Sequence, residues 1–303
     1  MQNKLKDQQK IEIVEKYLTG QYTCAALGRE YGIARSGING ILKRRNVKIN
    51  SLSKSHRTYT INENFFDKID GEIKAYLLGL LYADGCNSAK IGRLAITLQE
   101  EDKHILERFN LEINSNRPLV YYTLNKKNPN HKNVYKLIIS NKHMSAQLAK
   151  IGCVQAKSLI LEFPSEDVLP LYLVRHFIRG YFDGDGCFTF TKRKESKYNY
   201  NKPNQYQWTL SIVSTSIFCD KIQNIIKDKF NTTCSIVKNP EKYKGDTVVL
   251  KKSGKDALQI MDWLYLDMKI GLTRKYEKAQ FIKGLYEEIG QPISPKVGFH
   301  KYI

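Results

Sequence analysis

No two of the six cysteines are spaced as a C-x-x-C pair, which argues against a zinc knuckle. Cys24, Cys86, Cys153, Cys187, Cys219 and Cys234 stand singly along the chain, as expected for free thiols in a reducing, cytoplasmic setting. Long apolar runs are missing too. The longest, Tyr76–Ala83, is interrupted by Gly79 and is far too short to cross a bilayer, so no membrane partner is expected. Met1–Lys10 is polar, so no secretory leader is expected at this end. No Ser-His-Asp arrangement for nucleophilic catalysis is legible. Acidic residues are scarce beside basic ones: 30 Asp and Glu face 49 Lys and Arg, a formal charge of +19. Such an excess favours a polyanionic partner through counterion release.

What is present is a stretch that occurs twice. Leu77-Leu78-Gly79-Leu80-Leu81-Tyr82-Ala83-Asp84-Gly85 aligns with Ile178-Arg179-Gly180-Tyr181-Phe182-Asp183-Gly184-Asp185-Gly186, about a hundred residues later. Each is an apolar run with helical character, closed by an acid and a glycine. Gly79 with Ala83, and Gly180 with Gly184, are four apart and so share one helix face. Two such strips of small residues let backbones approach closely. The terminal glycines, Gly85 and Gly186, are expected to stop their helices in a left-handed conformation. Packed in parallel, the helices would deliver Asp84 and Asp185 side by side. The dipole is negative at that end and like charges repel, so two carboxylates there call for a divalent cation.

At 303 residues and 42% hydrophobic, the chain has room for two or three domains and a sizeable core. Residues 1–50 read as a small all-helical domain. Ile11, Ile13, Val14, Tyr17 and Leu18 make one stripe, with Gly20 placed as a C-cap. Thr23 can cap a second helix, and a third runs from about Arg35 to Arg45. Gly28, Gly32, Ile33, Ile38 and Ile41 match the helix-turn-helix pattern, and the segment looks like those of recombinases and bacterial regulators. Its third helix would offer Arg35, Ser36, Asn39, Lys43 and Arg44 to base edges and phosphates. Residues 51–70 read as a basic linker.

Residues 71–165 and 166–289 then repeat one order: helix, two strands, helix, two strands, helix, with 290–303 a tail. In the first repeat, strands are expected near 87–91 and 93–99, with Arg93, Ala95, Thr97 and Gln99 on a polar face opposite Leu94, Ile96 and Leu98. A hairpin of 119–124 and 134–140 carries Lys126 and Lys127 at its tip. In the second repeat, strands 187–192 and 207–213 are joined by a basic connection that starts with Lys192, Arg193 and Lys194 and ends near Gln207. The fold class expected is α+β: two pseudo-symmetric αββαββα repeats forming a saddle, plus the small helical domain. Lys126, Lys127, Lys192, Arg193, Lys194, Arg93, Thr97 and Gln207 would face nucleic acid.

The doubled stretch resembles the LAGLIDADG homing endonucleases, in the single-chain form with two motifs, over roughly residues 70–288. The resemblance implies a monomer with internal pseudo-two-fold symmetry, bound to double-stranded DNA at a long asymmetric site. It also implies that Asp84 and Asp185 are the catalytic acids, one per half. They would hold a divalent cation, Mg2+ or another, while one phosphodiester is hydrolysed on each strand. Members often show a glycine, then a lysine, after each repeat. Here Gly152 precedes Lys157 and Gly271 precedes Lys275, so these lysines would stand near the scissile phosphates. Gln99 resembles a family residue that orients water; its counterpart is Ser214 or Thr215. The sixth motif position departs between copies, Tyr82 against Asp183, and Asp183 is expected to act structurally. Asp183–Gly186 does not extend to a calcium loop, because Phe188 and Lys194 stand where that loop needs Gly and Glu.

Two further classes share such a body: a catalytically silent DNA-binding regulator and an RNA-splicing maturase. Retention of both acids argues against the first. An intein is not expected, for want of a nucleophile at the start and a His-Asn pair at the end.

Overall fold

The computed structural model describes residues 5–19, 22–49, 59–124, 129–192, 206–238 and 246–289. They fall into two compact units, Met1–Thr60 and Ile61–Ile303.

The first unit is three helices: α1 (Asp7–Leu18), α2 (Cys24–Glu30) and α3 (Arg35–Arg44). Ile13, Tyr17, Cys24, Leu27, Ile38, Ile41 and Leu42 form a core of their own. Thr23 caps α2 as expected, its Oγ1 accepting from the Ala26 amide at 3.1 Å. Gly28 is needed for closeness, since a Cβ there would stand 2.8 Å from the Ile33 carbonyl oxygen. Gly32, at φ +65°, makes the turn between α2 and α3. Gly20 lies outside the described residues; the observed C-cap of α1 is Thr19.

The second unit holds the two repeats. The first runs α4 (Glu72–Asp84), β1 (Gly85–Ser88), β2 (Arg93–Gln99), α5 (Lys103–Glu112), β3 (Val120–Tyr122), β4 (Val134–Ser140) and α6 (Lys142–Lys150). The second runs α7 (Val174–Asp185), β5 (Gly186–Lys192), β6 (Tyr206–Thr215), α8 (Ser216–Phe230), β7 (Ser235–Lys238), β8 (Thr247–Ser253), α9 (Lys255–Tyr265) and α10 (Thr273–Ile289). The sheets are antiparallel and have the same order, β1-β2-β4-β3 and β5-β6-β8-β7. The α+β class and the doubled αββαββα order expected from the sequence are both observed.

Three local expectations are corrected. The first strand does not span 87–91. It begins at Gly85, directly on leaving α4, and ends at Ser88; Gly92, at φ +69°, belongs to the turn that follows. Residues 61–70 are not linker: Phe65, Phe66 and Ile69 are buried in the core of the repeats. Gly85 and Gly186 are not left-handed. Their φ and ψ are −75° and 140°, and −91° and 158°, both extended. What requires glycine is space. A Cβ would stand 2.5 Å from the Leu81 oxygen in one case and 2.5 Å from the Phe182 oxygen in the other. The chain turns from helix to strand over its own last turn, leaving no room for a side chain.

The core lies between the sheets and the helices laid on them. α4 is buried nearly all round, from Ala75 to Tyr82, because α7 covers the face that the sheet does not.

Candidate active site

α4 and α7 pack on the small residues read from the sequence. A Cβ on Gly79 would collide with the carbonyl oxygen of Phe177, and one on Gly180 with that of Tyr76. Phe177 holds in α7 the position that Tyr76 holds in α4, so the contact is isologous, the mark of a local two-fold axis. A Cβ on Gly184 would collide with Ala83 and stand 3.0 Å from Asp84 Oδ2. Asp84 therefore lies across the last turn of α7, and Asp185 emerges beside it.

Both acids are open to solvent yet ringed by protein. That crowding, then the neighbouring Asp185, pushes the Asp84 carboxyl up to about 6, against the pull of Lys275, Lys157 and Arg274. Burial also raises Asp185, while the Tyr181 hydroxyl, Lys157 and Lys275 draw it down. Tyr181 additionally bonds the Val213 carbonyl at 3.1 Å and Ser214 Oγ at 3.0 Å, tying this corner to the end of β6.

The two lysines occupy matching places. Lys157 is buried and its Nζ donates to the Gly85 carbonyl. Lys275 Nζ donates to the carbonyls of Gly186 and Phe182, both at 2.6 Å. Each ammonium thus neutralises carbonyls at the end of its own motif helix, the negative pole of the dipole. Burial lowers the Lys275 pKa to about 8, with Arg274 adding repulsion and Asp183 and Asp84 opposing. Four groups expected from the sequence, Asp84, Asp185, Lys157 and Lys275, are brought together at one place.

Gln99 ends β2 at the start of the next helical turn, half-buried. Strand register identifies its counterpart. Gly85 faces Ile96 and Gly186 faces Ile212, so Ile96 matches Ile212 and Gln99 matches Thr215, not Ser214. Thr215 is already engaged: it is buried, donates to the Leu161 carbonyl and caps α8 by accepting from the Phe218 amide at 3.3 Å. The two halves therefore differ at this position.

Arg93 and Thr97 lie on the exposed face of the first sheet, opposite Ser140 and Lys136. On the second sheet Thr189, Thr209, Ser211, Ser235, Lys251 and Ser253 line a groove of ≈ 630 Å³. Arg35, Ser36, Lys43 and Arg44 are exposed on α3, and Asn39 is half-buried there. Lys126, Lys127, Arg193 and Lys194 lie outside the described residues, as do the side chains of Lys192 and Gln207.

Sequence reasoning missed the polar groups beneath the site. Arg179 is fully buried; it donates to Glu72 at 2.8 Å and to the Leu264 carbonyl at 3.0 Å. Buried Asp102 accepts Arg274 Nε at 3.1 and 3.0 Å through its two oxygens, joining the first repeat to the start of α10. The signal available was a charged residue inside an apolar run, as at Arg179.

The donor set fits an oxygen-seeking divalent ion. Two carboxylates, each pushed toward its neutral form, face one space, and a cation there would relieve both penalties. Among the described residues no group of three or more His, Cys, Asp and Glu is placed to hold a metal ion. Paired carboxylates suit an ion that keeps water and takes phosphate oxygens.

No protein-family model matches the chain, and no curated protein matches it. Among the described residues no helix is long and apolar enough to cross a membrane. Solved structures do resemble it. One is the LAGLIDADG homing endonuclease I-LtrWI bound to target DNA: 12% identity and TM-score 0.49, over 72% of this chain and 91% of that one. Another is I-SmaMI bound to an uncleaved DNA target in the presence of calcium ions, at 11% and 0.47, over 73% and 92%. A third is the LAGLIDADG meganuclease I-AabMI bound to uncleaved DNA, at 14% and 0.45, over 70% and 90%. The solved structures that this chain is similar to thus include a LAGLIDADG homing endonuclease and a LAGLIDADG meganuclease, each bound to DNA.

Proposed function

We propose that the protein is a LAGLIDADG homing endonuclease: a single-chain, site-specific double-strand DNA endonuclease that uses a divalent cation, Mg2+ by preference. The observation that carries the reading is the meeting of Asp84 and Asp185 at the ends of two glycine-faced helices, flanked by Lys157 and Lys275. The +19 charge and the two polar-faced sheets support DNA as the polyanion.

When bound between the acids, a divalent ion supplies charge neutralisation at the phosphate and a water of lowered pKa. The chain's own residues do the rest. Asp84 and Asp185 serve one half each. Lys157 and Lys275 are fixed by main-chain carbonyls and keep further N–H bonds for phosphate oxygens, where charge develops in the transition state. Gln99 orients water in the first half. Thr215, spent as a cap, leaves that task to another group in the second. Arg93, Thr97 and the hydroxyl-lined groove of the second sheet lie along the duplex, with Lys126, Lys127, Lys192, Arg193, Lys194 and Gln207 extending the contact. Residues 1–50 act as an accessory helix-turn-helix anchor through Arg35, Ser36, Asn39, Lys43 and Arg44. Residues 71–165 and 166–289 each take one half of a long asymmetric site.

Selected cleavage of a randomised duplex library with Mg2+ would identify the target. Plasmid cleavage by wild type, Asp84→Asn and Asp185→Asn would then test the chemistry. Both variants are expected to bind the target and to lose double-strand cleavage. Undiminished cleavage by either would sink the assignment of the acids. Tight, selective binding with no cleavage by wild type would indicate the regulator.

A further inference from the structure

We propose that Asp183 is a positioning residue for Lys275, and that it sets the rate of one strand cleavage and not the other. This rests on the nuclease reading above.

Asp183 holds in the second copy the place of Tyr82 in the first. Both are buried, and both reach for the loop that leads to the lysine of their own half. Their hydrogen bonds run in opposite senses. The Tyr82 hydroxyl donates to the Ile151 carbonyl, six residues before Lys157. The Asp183 carboxylate accepts from the Leu272 amide at 2.8 Å, three residues before Lys275. The same carboxylate accepts the Tyr265 hydroxyl at 2.5 Å and the Tyr76 hydroxyl at 2.9 Å, the latter from the helix of the other repeat.

A carboxylate this deeply buried survives only with its oxygens satisfied, and here three donors do so. The backbone passes close over it: a Cβ on Gly271 would stand 3.5 Å from Asp183 Oδ2. From Leu272 the chain enters α10, and Lys275 returns to donate to Phe182 and Gly186, residues on either side of Asp183. The segment Leu272–Lys275 is therefore pinned at both ends to the last turn of α7, by its amide and by its ammonium. Loss of the carboxylate frees the first pin and leaves two hydroxyls aimed at a void. Lys157 has no share in this network, because its loop hangs from Tyr82.

The test is strand-resolved cleavage by the full chain of a supercoiled plasmid carrying the selected target. Asp183→Ala is expected to slow one strand on the order of 100-fold, the loss that small misplacements of a catalytic group bring. Nicked plasmid would accumulate. The slowed strand would be the one slowed by Lys275→Met, whereas Lys157→Met would slow the other. Asp183→Asn keeps an oxygen for the Leu272 amide and is expected to restore most of the rate. Target affinity in EDTA would stay at the wild-type value for Asp183→Ala and Asp183→Asn. Equal slowing of both strands, or slowing of the Lys157 strand, overturns the proposal. If Asp183→Ala does not fold, Tyr265→Phe decides. It removes one donor and should slow the Lys275 strand to a lesser degree; wild-type rates on both strands overturn the proposal. Wild type that cuts neither strand overturns the nuclease reading itself, and the proposal with it, and is told apart because no variant is involved.

Discussion

Gly79 and Gly180 each lie against a carbonyl of the opposite helix, Phe177 in one direction and Tyr76 in the other, so that the same contact is made twice about a local axis. Nothing but hydrogen fits at either position. Gly79→Ala and Gly180→Ala should therefore each force the helices apart and cost about 3 kcal/mol or more, the upper end of overpacking losses. Because the contact is reciprocal, the two losses should be similar. Denaturant melts of the full chain would read this. A change under about 0.5 kcal/mol, ordinary for a surface position, would contradict the packing described.

Asp102 and Arg274 form a pair with unequal surroundings: the carboxylate is 2% exposed and the guanidinium side chain 40%. Arg274→Ala strands a buried charge, whereas Asp102→Ala leaves a cation that water can reach. The first should cost more, on the order of 2–3 kcal/mol against about 1. A double-mutant cycle on unfolding free energy checks both the order and the coupling. Equal losses with no coupling would mean that the pair does not join the repeats energetically.

His176 titrates in a buried setting beside Glu72 and Arg179. Burial first, then Arg179, lowers its pKa from 6.5 to about 4, with Glu72 opposing. Between those values the unfolded chain binds a proton that the native state refuses. Stability is therefore whole above pH 6.5 and falls as the pH drops through that window, by up to about 1.4 kcal/mol per unit. For Glu72, burial pushes the carboxyl up, but the Lys269 amide and Arg179 outweigh it and hold it below 4.5, so its own loss comes at lower pH. His176→Gln should flatten the slope between pH 6.5 and 5. An unchanged slope would assign acid lability elsewhere.

In the first unit, Thr23 and Gly28 do separate jobs within a few residues. Thr23→Ala should cost α2 about 1 kcal/mol through its lost cap. Gly28→Ala should cost more, about 1–3 kcal/mol, because its Cβ would press on the Ile33 carbonyl. Amide hydrogen exchange on the full chain should show faster exchange in α2 and α3, with protection of α4 and α7 retained. Loss of protection in α4 and α7 as well would contradict two separately stabilised units.

The repeat was legible because it is local. Apolar spacing of 3.6 and 2 residues marks helices and strands whatever surrounds them, and small residues four apart mark a face for close approach. From these alone came the element order, the doubled domain and the pairing of Asp84 with Asp185; the two lysines came only from the resemblance to the LAGLIDADG family. Gly85 was misread because Asp-Gly at a helix end is the usual sign of a left-handed cap; the reason for glycine there is steric, a Cβ against the last helical turn.

Other features only the tertiary structure decided. That Gln99 matches Thr215 depends on strand pairing across residues far apart in sequence. That Asp183 is engaged, by Tyr76, Tyr265 and Leu272, depends on donors from three separate segments. The asymmetry of the two halves was visible as Tyr82 against Asp183, but its meaning was not. A hydrogen bond's partner is set by where the chain returns in space, and no local pattern in the sequence carries that information.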